Sequence, residues 1–254
     1  MRTKRTKRGE GMNRIRAIVL TLLSLSALAV FFWPLWFDAS GIEQSLAGSL
    51  AVVAAIVIAA ATFVVFDGEL VGPKQLALLG LLAALGAALR VATGGTGGFE
   101  LVFLVVIIGG AALGVRFGFL LGALTILVSS IFFGGFGPWT AFQIFATAWV
   151  GAGAGIVGRK LASWRIPALA AYGVAASYLF GLIMNLWFWP FAVGPTTSIS
   201  YVPGAALGEN LLSFLTYSLL SSTLPWDTVR ALSVAFGIMV FGGPLIRTLE
   251  RAKL

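Results

Sequence analysis

The sequence predicts an all-α integral membrane protein of about eight transmembrane helices. Three observations carry this. The chain is 59% hydrophobic and only 10% charged, with a mean hydropathy of +1.00. It contains repeated apolar runs near the ~20 residues that a helix needs to cross a bilayer core. It shows no alternating ten-residue pattern of the kind that builds membrane barrels, so its backbone must be satisfied within helices. The composition also excludes chemistry. The 254-residue chain has no cysteine and no histidine, which removes disulfides, thiolate nucleophiles, Cys/His metal sites and a histidine acid–base catalyst. The formal net charge of +8 lies mostly in the tails and short loops, where it sets topology rather than a nucleic-acid surface.

Residues 1–16 form a basic tail, with Arg2, Lys4, Arg5, Lys7, Arg8, Arg14 and Arg16, suited to a cytoplasmic leaflet. Ala17 to Phe37 reads as a retained first span rather than a cleaved signal, because it ends in Trp33, Pro34 and Trp36 as an interfacial anchor. Ser45 to Phe66 is the second span and Gln75 to Ala92 the third. In the third, Ala83/Ala87 and Ala84/Ala88 lie four apart, so each pair shares a face and lets another helix approach closely. The T-G-G-T-G-G loop at 93–98 lacks the Lys-Ser/Thr and strand context of a nucleotide site. Phe99 to Leu113 is a short fourth span and Phe117 to Phe133 the fifth. Trp139 to Val157 is the sixth, with small residues at Gly151, Gly153 and Gly155, and Ile166 to Trp189 is the seventh. Residues 191–208 are a polar stretch, and Leu211 to Leu224 reads as an external or re-entrant helix ended by Pro225. Asp227 then opens the last span, Thr228 to Leu245.

Charge tests this order. With the N-terminus inside, 15 of the 17 Lys and Arg residues fall on the cytoplasmic side and only Arg90 and Arg230 near the outer face, as the positive-inside rule requires. Both termini are then cytoplasmic. The loop at 93–98, the hairpin between the fifth and sixth spans and the 191–224 region all open outward. Arg90 with Glu100, and Asp227 with Arg230, are expected to pair locally.

Between the fifth and sixth spans lies the most distinctive stretch, S-I-F-F-G-G-F-G-P-W-T-A-F-Q at 130–143. Gly134, Gly135 and Gly137 break the helix, Pro138 can start the next one, and large rings crowd the turn. The residues alone leave two readings, an interfacial turn in an aromatic belt or a ligand-binding loop. No catalytic constellation is present, since the acidic residues are scattered singly. An outward cavity of aromatic and amide side chains fits a mostly apolar, ring-bearing small molecule.

From Lys74 onward the chain resembles the substrate-binding S components of energy-coupling factor (ECF) vitamin transporters. The residues that carry this are F-F-G-G-F-G-P-W-T-A-F-Q at 132–143, the A-x-x-x-A spacing at Ala83/Ala87 or Ala84/Ala88, and L-P-W-D-T-V-R-A-L at 224–232. The resemblance is closest to the group whose G-P-W-T-x-F-Q hairpin is associated with cobalamin or precursors such as dimethylbenzimidazole. It implies a non-enzymatic binding subunit in a bacterial plasma membrane. A six-helix core at 74–254 would follow two extra helices at 17–73. A transmembrane scaffold (T) subunit would dock on the Ala83, Ala84, Ala87 and Ala88 helix. Two cytoplasmic ATPases would bind the ATP, so this chain would need no cofactor or metal of its own. Phe133, Trp139, Gln143, Asn185 and Trp187 are the implied ligand contacts. The competing classes are a self-contained transporter or channel, an intramembrane enzyme acting on lipid or prenyl chains through Glu100, Glu209 or Asp227, and an assembly protein with no ligand.

Overall fold

The computed structural model describes residues 2–36, 44–66, 72–94, 96–194 and 197–253. Most of the polar loop expected at 38–44 and of the turn expected at 67–74 lies outside them. The described residues form ten α-helices and no strand: α1 (Arg2–Phe31), α2 (Trp33–Trp36), α3 (Gln44–Phe66), α4 (Pro73–Thr93), α5 (Val102–Leu113), α6 (Val115–Ser130), α7 (Pro138–Lys160), α8 (Arg165–Ala192), α9 (Leu207–Ser218) and α10 (Thr228–Lys253). Four helical stretches among the described residues are long and apolar enough to cross a membrane: Pro73–Thr93, Pro138–Lys160, Arg165–Ala192 and Leu207–Ala252. Four shorter apolar segments accompany them, Ile18–Phe31, Gly48–Ala61, Val102–Leu113 and Val115–Ser130. The chain is thus a helical, membrane-embedded protein.

The bundle is built around α5. This 12-residue helix is apolar on all sides and largely buried, with Val106 and Ile107 fully enclosed, as expected of a helix with no solvent or lipid face. It packs on α4, α6, α7 and α10. Glycine permits the closest contacts. A Cβ on Gly118 or Gly110 would strike the carbonyl of Gly151, one on Gly122 the carbonyl of Thr147, and one on Gly155 the backbone of Val115. Three helix backbones therefore meet directly at the α5, α6 and α7 junction, which is how small residues drive association in lipid. Gly153, expected on the same small face, instead faces Tyr172 of α8, whose hydroxyl donates to the Val150 carbonyl at 2.7 Å. The α5–α6 turn is a single glycine, Gly114, at φ +103, a backbone that residues with a Cβ avoid.

The N-terminal pair α1 and α3 packs together and lies on α7 and α8, whereas α4 packs on α5 and α6. Among the described residues α4 therefore keeps an exposed side, with Leu76, Leu81 and Leu85 on it. On α4 the two alanine pairs part company. Ala83 and Ala87 are buried inside the bundle, while Ala84 and Ala88 are exposed beside Leu81 and Leu85. A docking surface can use only the second pair.

The last expected boundary is also corrected. Residues 207–252 form one continuous helical rod rather than a separate outer helix and a span. Pro225 does not break it, because Leu219–Asp227 adopts π geometry. The wider turn absorbs the missing N–H. The Thr223 carbonyl accepts from both the Thr228 N–H and, at 2.8 Å, the Thr228 hydroxyl. The rod runs antiparallel to α8, tied by Arg165–Glu250 at one end, Tyr178–Thr228 in the middle and Asn185–Ser218 towards the other.

Candidate functional site

The hairpin folds as its residues dictate. Gly134 and Gly135 take φ +78 and +66, which terminates α6 and reverses the chain. Pro138 then starts α7, and Thr140 accepts the Gly137 N–H at 2.9 Å, one half of a capping box. Phe132 and Phe136 project outward, but Phe133 turns inward against Gly94 of the T-G-G-T-G-G loop. The other end of that loop meets the rod, where Gly98 lies against the Trp226 carbonyl. Two of the three loops expected on the outer face, 93–98 and 133–139, thus come together at one end of the bundle. The third, around 190–208, does not join them. It packs with α2 and α9 around a separate depression of about 220 Å³, lined by Leu35, Tyr201, Leu207 and Asn210 among others.

Beneath the two joined loops lies a cavity of about 130 Å³. Its polar lining is Arg90 from α4, Glu100 before α5, and Gln143 and Thr147 from α7. Phe103, Phe133 and Phe180 supply aromatic walls. Arg90 sets the architecture on one side. It donates to Ser129 Oγ at 2.7 Å and to Gln143 Oε1 at 2.8 Å, and its guanidinium lies 5.6 Å from the Phe133 ring centre. Because Gln143 gives its carbonyl oxygen to Arg90, its amide N–H pair is what it offers a ligand. Thr147 is almost wholly buried, and its hydroxyl has no hydrogen-bond partner, a state that normally carries a penalty.

On the other side stands a second charge cluster. Arg230, nearly buried, binds Glu100 through Nε at 2.8 Å and fully buried Asp227 through Nη1 at 2.8 Å. It also donates to the Ser177 carbonyl at 3.1 Å and lies 5.3 and 5.0 Å from the ring centres of Phe103 and Phe180, which pack edge to face on each other. Asp227 accepts a further bond from Ser222 at 3.0 Å. Asp227 and Arg230 pair as expected. The expected Arg90–Glu100 pairing gives way to these arrangements, since each finds a better-placed partner across the bundle.

Of the five predicted contacts, Phe133 and Gln143 line this cavity and three do not. Trp139 is 39% exposed, with its ring folded over Gly137. Asn185 donates to Ser218 at 3.0 Å in the α8–α9 seam. Trp187 is buried and stacks flat on Phe142, 4.3 Å between centres, while its backbone carbonyl accepts from Trp33 of the added α2 at 3.1 Å. The N-terminal segment thus claims the surface where Trp187 was expected to meet a ligand. Sequence reasoning named Glu100 only under the rival enzyme reading and missed Arg90 and Thr147 as site residues. The signals were available. Ionisable residues within apolar helices mark sites by default, and Thr147 follows Gln143 by one helical turn.

No protein-family model, curated protein or solved structure matches this chain. Its chemistry must therefore be argued from these residues. The arrangement holds no metal-binding cluster of acidic residues among the described residues. What it has is a small, partly open space with polar and aromatic side chains in its wall, which is the form of a small-molecule binding site. Arg90 also fastens the hairpin to α4. Arg90→Ala is expected to release Ser129 and Gln143 together and to raise amide hydrogen exchange across 130–137 by at least about tenfold, roughly the loss of one charge-assisted hydrogen bond. Exchange unchanged at those amides would show that the hairpin holds itself.

Proposed function

We propose that this chain is the substrate-binding S subunit of an ECF-type ABC transporter, importing a vitamin or vitamin precursor across a bacterial plasma membrane. In this reading eight helical segments cross the membrane, both termini are cytoplasmic, and the cavity opens to the outside. The observation that carries it is the partly open cavity beneath the Gly-Pro-Trp hairpin, between that loop and the one after α4. These are two of the three loops, at 93–98, 133–139 and 190–208, under which the resemblance implies a substrate. The exposed side of α4 supports the second half of the reading, a T subunit docking on the Ala84/Ala88 face with two ATPases beneath it. The absence of a nucleotide-binding motif from the sequence fits a subunit that borrows its energy.

The test separates docking from binding. Ala84→Leu or Ala88→Leu adds bulk to an exposed face without entering the bundle. Either change is expected to reduce ATP-dependent uptake in whole cells by at least ~100-fold, the order of an interface hot spot, while the purified protein keeps its ligand. Native mass spectrometry of protein from its own host membranes reads the ligand and the co-purifying T and ATPase subunits together. Unchanged uptake in both variants would overturn the docking role.

A further inference from the structure

We infer that the end of the bundle opposite the hairpin holds the headgroup of an anionic phospholipid, gripped by cations from several chain segments and anchored by Leu161 and Trp164. The inference does not depend on the transport reading. Pro138–Lys160, Arg165–Ala192 and Leu207–Ala252 are each long and apolar enough to cross a membrane, so their ends at 160, 165 and 252 belong at a membrane surface.

Close packing assembles the charges. A Cβ on Gly155 would strike the backbone of Val115, and one on Gly158 would lie 3.0 Å from Ala111 Cα. The last turns of α7 therefore rest on the α5–α6 turn. Arg165, at the start of α8, donates to the Ala111 carbonyl and pairs with Glu250 of α10 at 2.6 Å. These contacts bring Arg116, Arg159, Lys160, Arg247 and Arg251 to the same end. Within 111–116, 155–165 and 244–252 the only acidic residue is Glu250, and Arg165 already holds it. The patch is therefore strongly positive, and Arg159, Lys160, Arg247 and Arg251 are exposed on it. It is mostly arginine, whose planar fork makes two-point contacts with phosphate.

Charge alone would suit any anion. The turn between α7 and α8 narrows the choice. Leu161 is 48% and Trp164 71% exposed, large apolar groups flanked in sequence by Lys160 and Arg165. The Trp164 N–H donates to the Leu161 carbonyl at 3.1 Å. Residues three apart in such a 3-10 turn lie one above the other, so both side chains share one side. A free phosphate offers them nothing apolar. A lipid does, since tryptophan is at home at headgroup level. Lys and Arg stems then lie along the acyl boundary while their charges stay at the phosphates. Each Lys or Arg near an anionic leaflet is worth about fivefold in affinity.

The experiment adds lipid to the purified, delipidated full-length chain in detergent and counts the retained molecules by native mass spectrometry. The probes are phosphatidylglycerol, phosphatidylcholine and glycerol phosphate. Phosphatidylglycerol is expected to be held at least about tenfold more tightly than phosphatidylcholine, whose choline cancels the charge of its phosphate. Glycerol phosphate at the same concentration is expected not to displace it. Arg159→Gln with Lys160→Gln is expected to weaken phosphatidylglycerol at least about tenfold and to leave phosphatidylcholine unchanged. Arg159→Lys with Lys160→Arg, which only exchanges the two cations, is expected to keep the lipid preference. Trp164→Ser is expected to weaken both phospholipids. The lipid-free variants are expected to melt with the native protein, because the substituted side chains are exposed. Equal retention of the two phospholipids by the native chain would overturn the inference. So would displacement by glycerol phosphate, which would make the free anion the ligand, or native phosphatidylglycerol affinity in the glutamine pair. If the glutamine pair melts early, Trp164→Ser decides in its place, and unchanged lipid retention there would overturn the inference.

Discussion

Arg230→Met is expected to destabilise the protein by about 3–5 kcal/mol, the range for removing one partner of a buried ion pair. Arg230 is ion-paired with both Glu100 and Asp227. Without it Asp227, which has no exposed side-chain surface, keeps only its bond to Ser222. The edge-to-face pair Phe103 and Phe180 would then face methionine instead of the guanidinium now beside it. Thermal unfolding in detergent reads the loss. The triple variant Glu100→Gln, Asp227→Leu, Arg230→Met is expected to recover much of it, because the cost lies in the uncompensated carboxylates rather than in the absence of a pair. If the single variant melts with the native protein, the cluster has little structural role.

Gly151→Leu is expected to abolish recovery of folded protein, and Gly151→Ala to cost about 1–3 kcal/mol as overpacking. Gly151 is the residue on which α5 and α6 both close, with Gly110 and Gly118 directed at its carbonyl. A side chain there must push two helices away at once. Gly118→Ala is expected to act similarly, and the double variant to cost less than the sum because both changes open one seam. Gly243→Ala is the control, since a Cβ at that position meets nothing within 4 Å; it is expected to be neutral or stabilising by up to ~1 kcal/mol. Size-exclusion profiles and melting temperatures separate these outcomes. Native-like behaviour of Gly151→Leu would show that the seam is loose.

The helices were legible because hydropathy is a local property, and most observed bounds fall within a few residues of the expected ones. The hairpin was legible for the same reason, as Gly134, Gly135 and Pro138 act on their own backbone. Continuity through Pro225 was not. A proline normally ends a helix, and the π turn that rescues it depends on Thr223, Thr228 and the docking of α8. The alanine pairs were legible as faces but not as inside or outside. A shift of one residue turns a helix by about 100°, and lipid is as apolar as a bundle core. The site was half legible. Phe133 and Gln143 lie in the motif that drew attention, whereas Arg90 and Glu100 looked like neighbours across a short loop. Their partners, Gln143 and Arg230, are 53 and 130 residues away, and only the folded bundle makes them neighbours.

The uninterrupted rod has a mechanical consequence. From Arg230 to Lys253, α10 is a stiff arm of about 35 Å at 1.5 Å per residue. Its near end is gripped by Glu100 at the cavity wall. Its far end is held by the Arg165–Glu250 ion pair at 2.6 Å. A tilt of about 5° at the grip sweeps the far end through about 3 Å by the same rise per residue, roughly the length of one hydrogen bond. One helix thus joins the cavity wall to the far end of the bundle, so a rigid tilt of α10 at Glu100 would have to be taken up at the Arg165–Glu250 pair.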